Sequence, residues 1–289
     1  MSDNTASAIL DFHMHSTVSD GTDTPAQLLD RVRGLGLECF ALTDHDDVKG
    51  SSIIRGLLKE GDPAFITGCE FSCRDEEGKY HILGYGFDPG CKTVLDIIEK
   101  CHMLRAEKVR GRIDRLQEEY GFCFPSEELD VLYAQDNPGK PHIANIMVRL
   151  GYAESISDAI DNYIGKVRYR SSYIRPEEAI GCILAGGGIP VLAHPSYGSG
   201  NELILGEEMD ARLRKLISFG LQGIEAYYSG FTARLCQANL ELAARYSLYV
   251  TAGSDYHGSN KMVILGDTGL PDRSEWPEGL NRFLSDVSH

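Results

Sequence analysis

The chain has 289 residues, 42% of them hydrophobic, and a net charge of −15. This length and composition are typical of one large globular domain or of a domain with an insertion, and they exclude an overall disordered chain. The acidic charge argues against a surface that coats DNA or RNA, because nonspecific binding requires lysine and arginine to neutralise phosphates. We therefore expect no stable binding of duplex nucleic acid.

At the start of the chain, residues 1–8 are short and polar and lack the basic and apolar regions of a signal peptide. No later segment approaches the about 20 consecutive apolar residues of a membrane-spanning helix. We expect a soluble, cytoplasmic protein that has no membrane association. The sequence leaves its oligomeric state open.

Seven short apolar runs then alternate with helical patterns. We predict buried strands at residues 9–12, 39–42, 65–67, 80–83, 189–193, 223–226 and 248–252. Helices are predicted to begin at Thr24-Pro25 and at Arg175-Pro176, because proline is favoured in the first turn. Strands that alternate with helices favour parallel pairing, and we predict an α/β fold that closes into a barrel.

The alternation stops in the middle of the chain. Helices are predicted at residues 98–116, 126–133, 141–150 and 155–164, with glycine and proline between them. Residues 99–175 hold equal numbers of basic and acidic side chains, so the net charge lies outside them. We predict a barrel domain of residues 1–98 and 172–289, with residues 99–171 as a small helical insertion that serves as a lid.

Histidines and carboxylates gather where the predicted strands end. Asp11, His13 and His15 follow the first apolar run at a spacing of two, which places them on one face of a strand end. Four further strands are followed by His45, Glu70, His194 and Asp255. The carboxyl ends of parallel barrel strands are where active sites are built. This mixture of nitrogen and oxygen ligands suits Zn, Mn or Fe, and it predicts a cluster of two or three metal ions.

Six short motifs contain these residues. They are Asp11-Phe12-His13-Met14-His15-Ser16 with Ser19-Asp20-Gly21, Leu42-Thr43-Asp44-His45-Asp46, Gly68-Cys69-Glu70-Phe71, His81-Ile82-Leu83-Gly84-Tyr85, Pro190-Val191-Leu192-Ala193-His194-Pro195 and Gly253-Ser254-Asp255-Tyr256-His257. Over nearly its whole length the chain resembles the polymerase and histidinol phosphatase (PHP) family of metal-dependent phosphoesterases. The resemblance implies a distorted (β/α)7 barrel and two or three divalent ions, with manganese, zinc or iron expected. The ligands it implies are His13, His15, Asp20, His45, Glu70, His81, His194, Asp255 and His257.

Within the PHP family, the chain resembles most the enzymes that act on small nucleotides. The similarity lies in three segments, one in the insertion and two after it: Pro138-Gly139-Lys140-Pro141-His142, Pro176-Glu177-Glu178-Ala179-Ile180 and Ala185-Gly186-Gly187-Gly188-Ile189. The implied activity is a nucleoside 3',5'-bisphosphate 3'-phosphatase or a ribose cyclic-phosphate phosphodiesterase and phosphatase. Lys140 stands where the familiar motif has arginine, and the two are not equivalent at a bidentate phosphate site. The exact substrate therefore stays open.

Several alternatives also stay open. A histidinol-phosphatase-like monoesterase and a 5'-3' exonuclease on short RNA belong to the same family, as does a metal-binding module without activity. A barrel hydrolase that cleaves amides is a rival enzyme, but the acidic Asp20 and Glu70 and the position of His45 favour the phosphoesterase.

The expected mechanism is attack by a hydroxide that bridges two metal ions, with Glu70 as the bridging carboxylate. We assign catalytic roles to Glu70, Asp255, His194 and His142, with His142 as the general acid or a phosphate contact. The alternative for His142 is that it caps the helix at Pro141. Substrate binding is assigned to Lys140, His142 and Arg170. Further candidates for a second phosphate are Arg105, Arg168 and Arg175.

Overall fold

A computed structural model describes residues 10–135, 137–167, 172–198 and 202–287. Seven strands form one sheet in chain order, and each overlaps a strand predicted from the sequence. They are β1 (Leu10–Asp11), β2 (Cys39–Leu42), β3 (Ala64–Arg74), β4 (Lys79–Tyr85), β5 (Ile189–Leu192), β6 (Gly223–Tyr228) and β7 (Tyr249–Gly253). The N–H of Phe12, just after β1, donates to the carbonyl of Ala252 in β7 at 2.9 Å. The sheet therefore curls into a nearly closed barrel, which confirms the predicted fold class.

One strand contradicts the prediction of parallel pairing throughout. β4 is antiparallel to both of its neighbours, β3 and β5. Only residues 75–78 separate β3 from β4, which is too short for the crossover that a parallel pair requires. The Asp75 carboxylate accepts from the N–H groups of Glu77 and Gly78 at 2.9 and 3.2 Å, and this fixes the hairpin turn. The other strand pairs are parallel.

Ten helices surround the sheet or lie in the middle of the chain, within the described residues. They are α1 (Pro25–Leu35), α2 (Lys49–Leu57), α3 (Lys92–Tyr120), α4 (Ser126–Tyr133), α5 (Lys140–Arg149), α6 (Ile156–Asp158, continued by a π-helix over Ala159–Ile164), α7 (Pro176–Ala185), α8 (Gly206–Ser218), α9 (Ala233–Arg245) and α10 (Glu278–Asp286). Among the described helices, none has the length and apolar character needed to cross a bilayer.

Helix α3 connects two separate hydrophobic cores. Its first half packs Val94 and Ile98 into the barrel core, and its second half packs Val109 and Ile113 against α5 and the π-helix. The predicted boundary between residues 98 and 99 lies inside this helix, which spans about 44 Å without a break. The division into a barrel and an insertion stays a prediction, and α3 belongs to both parts.

Candidate metal centre

The strand ends bring all nine predicted ligands around one buried space. Their ligand atoms form four overlapping groups, each within 4.8 Å: His15, Asp20, His45 and His257; His13, Glu70 and His194; His13, His15 and Asp255; and His45, Glu70 and His81. The parallel strands aim their carboxyl ends at this point, and the antiparallel β4 contributes His81 from within the strand. The chain therefore assembles a many-ligand site from segments that are distant in sequence.

Glu70 lies at the centre of this arrangement. Its Oε2 is 3.2 Å from His13 Nε2, 3.2 Å from His15 Nε2 and 3.1 Å from His45 Nδ1, while its Oε1 is 2.8 Å from His81 Nδ1 and 3.2 Å from His194 Nε2. Burial disfavours the charged carboxylate, but the surrounding histidines outweigh it and hold the pKa of Glu70 well below its usual range. Each oxygen faces a different set of nitrogens, so this carboxylate could be shared between two groups of candidate ligands.

Hydrogen bonds at Nδ1 orient three of the histidines. His13 Nδ1 lies 2.9 Å from Glu225 Oε1, and His257 Nδ1 lies 2.9 Å from the carbonyl of Asp255. His15 Nδ1 lies 3.4 Å from Ser19 Oγ, a hydroxyl that already donates to a carboxylate and so accepts from the ring. With the proton held on Nδ1, the lone pair of each Nε2 is available for a ligand.

Several atoms of the predicted ligands are buried and make no hydrogen bond to the described residues. His13 Nε2, His15 Nε2, His45 Nδ1 and Asp20 Oδ1 have no hydrogen-bond partner within the part of the chain that the structure describes. Buried polar atoms are rarely left in this state unless an ion or water completes them. The orphaned nitrogens and oxygen face one another, and this donor set fits divalent metal ions.

The backbone is strained where it aims these groups. Asp46, His194 and Asp255 have positive φ angles of 53°, 26° and 58°, a region that residues other than glycine rarely adopt. Such outliers persist where the surrounding structure overdetermines them, and they cluster at functional sites. Two of these three residues are predicted ligands.

Asp255 is held by residues that the sequence reasoning missed. Its Oδ2 accepts from Tyr228 Oη at 2.8 Å and pairs with the ammonium of Lys261. Its Oδ1 is thereby turned towards His13 Nε2 and His15 Nε2, at 3.5 and 3.4 Å. Tyr228 and Lys261 therefore leave one carboxylate oxygen free to act as a ligand.

Three carboxylates beside the ligands are buried and fully engaged. Asp44 accepts from the N–H and hydroxyl of Ser16 at 2.7 and 2.8 Å, which orders the loop that carries Asp20. Asp11 accepts from the hydroxyl of Ser254 at 2.6 Å. Asp46 pairs with Arg105 and is 3% exposed, so it is a buried, paired carboxylate and not a solvated strand end.

Glu225, in the middle of β6, is a further residue that the sequence reasoning missed. One of its carboxylate oxygens accepts from His13 Nδ1, and the other accepts from the N–H of His194 at 2.7 Å. The side chain is 0% exposed. The available signal was a single carboxylate inside the apolar run 223–228.

Glu225→Gln is expected to weaken metal binding by roughly 10- to 100-fold, because glutamine has one acceptor oxygen for two donors. Competition with a chelator should measure the affinity, and thermal unfolding with and without metal should report the same loss. Glu241→Gln, on the exposed side of α9, is the matched control. Unchanged affinity in the Glu225 variant would show that the carboxylate does not position a ligand.

A basic cavity of about 250 Å³ opens beside three of the predicted ligands, Asp20, His45 and His81. Five cationic side chains line it: Lys79, Arg105, Lys108, Arg112 and Lys140. Those from α3 are spaced by three and four residues, so they share one helix face. A cavity with this charge beside a metal centre suits a phosphate group.

Lysine ionisation in this cavity is perturbed. Burial lowers the pKa of Lys108 to about 8 and also lowers the pKa of Lys140. The ammonium of Lys108 lies 3.7 Å from the ring centre of Tyr173. Of the cavity lysines, Lys140 was predicted from the sequence, while Lys79 and Lys108 were missed. A bound anion would favour the charged forms of both lysines.

His142 caps α5, as the alternative interpretation expected. Its Nδ1 accepts from the N–H of Gly139 at 2.9 Å, which leaves Nε2 as the protonated nitrogen of a neutral ring. Burial lowers the pKa of His142 and so favours that neutral form. The capping role is therefore compatible with a role as a proton donor, because it leaves the proton of the neutral ring on Nε2.

The arginines predicted to bind phosphate lie in different places. Arg105 lines the basic cavity. Arg175 is exposed, pairs with Glu76 and Glu177, and is not among the residues that line this cavity. The predictions for Arg168 and Arg170 fall on residues outside the described ranges.

Curated relatives align with most of the chain. It is 30% identical to the phosphoribosyl 1,2-cyclic phosphate 1,2-diphosphodiesterase of Eggerthella lenta, over 86% of this chain and 94% of that protein. It is 30% identical to a 5'-3' exoribonuclease of Haemophilus influenzae, over 89% and 92% of the two chains. It is also 30% identical to the 3',5'-nucleoside bisphosphate phosphatase of Chromobacterium violaceum, over 86% and 87%.

A solved structure and a family model agree with these relatives. The fold is similar to that of a Bifidobacterium adolescentis protein described as a candidate metal-dependent phosphoesterase, with a TM-score of 0.84, 28% identity and coverage of 97% and 96% of the two chains. The PHP domain model matches residues 11–174. The chain belongs to the PHP domain family and is a metal-dependent phosphoesterase.

Proposed function

We propose that this enzyme hydrolyses a phosphate ester of a small phosphorylated nucleoside or ribose, either a nucleoside 3',5'-bisphosphate or a cyclic ribose phosphate. The observation that carries the proposal is the basic cavity beside the metal centre. It places five cationic side chains next to Asp20, His45 and His81, so a second anionic group could bind while the first is hydrolysed. The activities of the Eggerthella and Chromobacterium relatives support the same substrate class.

The proposed cofactor is two or three divalent ions, with manganese, zinc or iron as candidates. One ion would be held by His15, Asp20, His45 and His257, and Glu70 would be shared between two neighbouring groups. When bound, such ions lower the pKa of water from 15.7 towards roughly 7 and offset negative charge on the phosphate. The mixed imidazole and carboxylate donors support these metals over calcium or magnesium.

The proposed task of the side chains is to position the substrate and provide a proton. Lys108, Arg112 and Lys140 would hold the second phosphate by charge-assisted hydrogen bonds. His142 would donate from Nε2 to the departing oxygen, and its capping bond to Gly139 keeps the proton on that atom. We also keep the predicted cytoplasmic location as part of this proposal.

A substrate panel tests the proposal. In the presence of Mn²⁺, kcat/KM should be compared for adenosine 3',5'-bisphosphate, phosphoribosyl 1,2-cyclic phosphate, a short 5'-phosphorylated RNA and histidinol phosphate. We expect one of the first two to exceed histidinol phosphate by roughly 10²-fold, because histidinol phosphate has no second anionic group to bind in the basic cavity. Faster hydrolysis of histidinol phosphate would contradict the proposal. Metal that raises the melting temperature without any hydrolysis would indicate a noncatalytic module.

A further inference from the structure

A second cavity, of about 340 Å³, shares a wall with the basic one. The segment 137–142 contributes Pro138 and Lys140 to the basic cavity, and it contributes Asn137 and His142 to the second. The character of the second cavity is different. Its polar lining consists of hydroxyl, amide, imidazole and single ammonium groups: Thr17, Ser19, Lys49, Gln135, Asn137 and His142. The two cavities are therefore suited to different parts of one ligand.

Asn137 has a buried acceptor that lacks a donor. The side chain is 3% exposed, and its Nδ2 donates to the carbonyl of His45. Because only the amide nitrogen can donate to a carbonyl, this bond fixes which way the side chain faces. The remaining Oδ1 has no hydrogen-bond partner among the residues that the structure describes. A buried acceptor in this state is costly unless a bound group supplies a donor.

Two residues that line the second cavity contact predicted metal ligands. Asn137 is bonded to the backbone of one predicted ligand, His45, and Ser19 precedes another, Asp20. Ser19 Oγ also lies 3.4 Å from His15 Nδ1. A phosphate at the centre would thus have near it a basic cavity and a second polar cavity with one cationic side chain, Lys49.

We propose that the second cavity binds the uncharged nucleoside part of the substrate, with Asn137 Oδ1 accepting a hydrogen bond from it. This inference rests on the proposed function and names the part of the substrate that the second cavity binds. The donor is an N–H or O–H of the nucleoside, either the exocyclic amino group of the base or a ribose hydroxyl. A site that hydrogen-bonds a substrate group discriminates against analogues that lack it, because the buried partner is then left unpaired.

Filling the cavity is the first test. Thr17, at its exposed rim, is not among the predicted ligands, so Thr17→Trp adds bulk without removing one. The ratio of kcat/KM for adenosine 3',5'-bisphosphate to that for p-nitrophenyl phosphate should fall by roughly tenfold or more. Val131→Trp, an equally bulky change on the exposed face of α4, is the control and should leave the ratio as in the wild type. An unchanged ratio in Thr17→Trp would overturn the inference.

Substrate analogues test the hydrogen bond to Asn137. Asn137→Ala should lower kcat/KM for adenosine 3',5'-bisphosphate by roughly tenfold, with metal content measured alongside. Two analogues each lack one possible donor: inosine 3',5'-bisphosphate lacks the amino group, and 2'-deoxyadenosine 3',5'-bisphosphate lacks the 2'-hydroxyl. For the analogue that lacks the donor bound by Asn137, the wild type and Asn137→Ala should have the same kcat/KM. If Asn137→Ala lowers the values for all three substrates equally, the hydrogen bond to the nucleoside is refuted. If the wild type hydrolyses none of these phosphoesters with Mn²⁺, the proposed function itself fails.

Discussion

Glu70→Gln is expected to reduce kcat by roughly 10³-fold or more and to lower the amount of bound metal. Each oxygen of Glu70 faces a separate set of histidine nitrogens, at 2.8 to 3.2 Å. Glutamine has the same shape, but it must turn an NH₂ group towards one of these sets, and an NH₂ group cannot bind a cation. The centre would then lose both the bridge and one negative charge.

Steady-state kinetics with Mn²⁺ and metal analysis of the purified variant should be measured together. Glu60→Gln, an exposed carboxylate that follows α2, is the matched control and should behave as the wild type. A Glu70 variant that keeps its metal content and its kcat would show that this carboxylate does not bridge ions.

The largest expected effect on substrate affinity comes from the basic cavity. Lys108→Met together with Lys140→Met should raise KM for adenosine 3',5'-bisphosphate by roughly 10²-fold, because we propose that each lysine gives a charge-assisted hydrogen bond to the second phosphate. The change in KM for p-nitrophenyl phosphate, which lacks that group, should be much smaller. Lys59→Met, at an exposed position after α2, is the control. Equal changes for both substrates would place the second phosphate elsewhere.

Binding of the bisphosphate in the basic cavity is expected to weaken at alkaline pH. Burial lowers the pKa of Lys108 to about 8, so the ammonium is present below that pH and is lost as the pH rises through it. KM for the bisphosphate should therefore increase between pH 7 and 9.5. Lys108→Arg should flatten the increase, because arginine stays charged over this range. A KM that does not vary with pH in the wild type would mean that Lys108 does not contact the anion.

Most of the fold could be predicted because its signals are local. Each strand is a short apolar run, and each predicted ligand follows or lies in one, so residues such as His13 and His45 could be assigned before any contact was known. The antiparallel β4 was the exception. Its hairpin turn is also a local feature, but the general alternation of strands and helices led to a prediction of parallel pairing.

The supporting residues could not be found in this way. Glu225 matters because its side chain contacts His13 after β1 and the N–H of His194 after β5, and nothing near it in sequence indicates those contacts. Lys79 and Lys108 lie on a strand and on a helix that meet only in the folded chain. Local patterns therefore identified the candidate metal ligands and Lys140, while the residues that orient those ligands and most of the cavity cations depend on tertiary structure.

The continuous helix α3 constrains how the enzyme could be re-engineered. Arg105, Lys108 and Arg112 reach the cavity because their positions on the helix match its distance and rotation from the barrel. Inserting one residue before Arg105 would advance the rest of the helix by about 1.5 Å and turn it by roughly 100°. Exchanging this region between relatives would therefore succeed only if the helical phase is conserved, and the graft point is as decisive as the grafted residues.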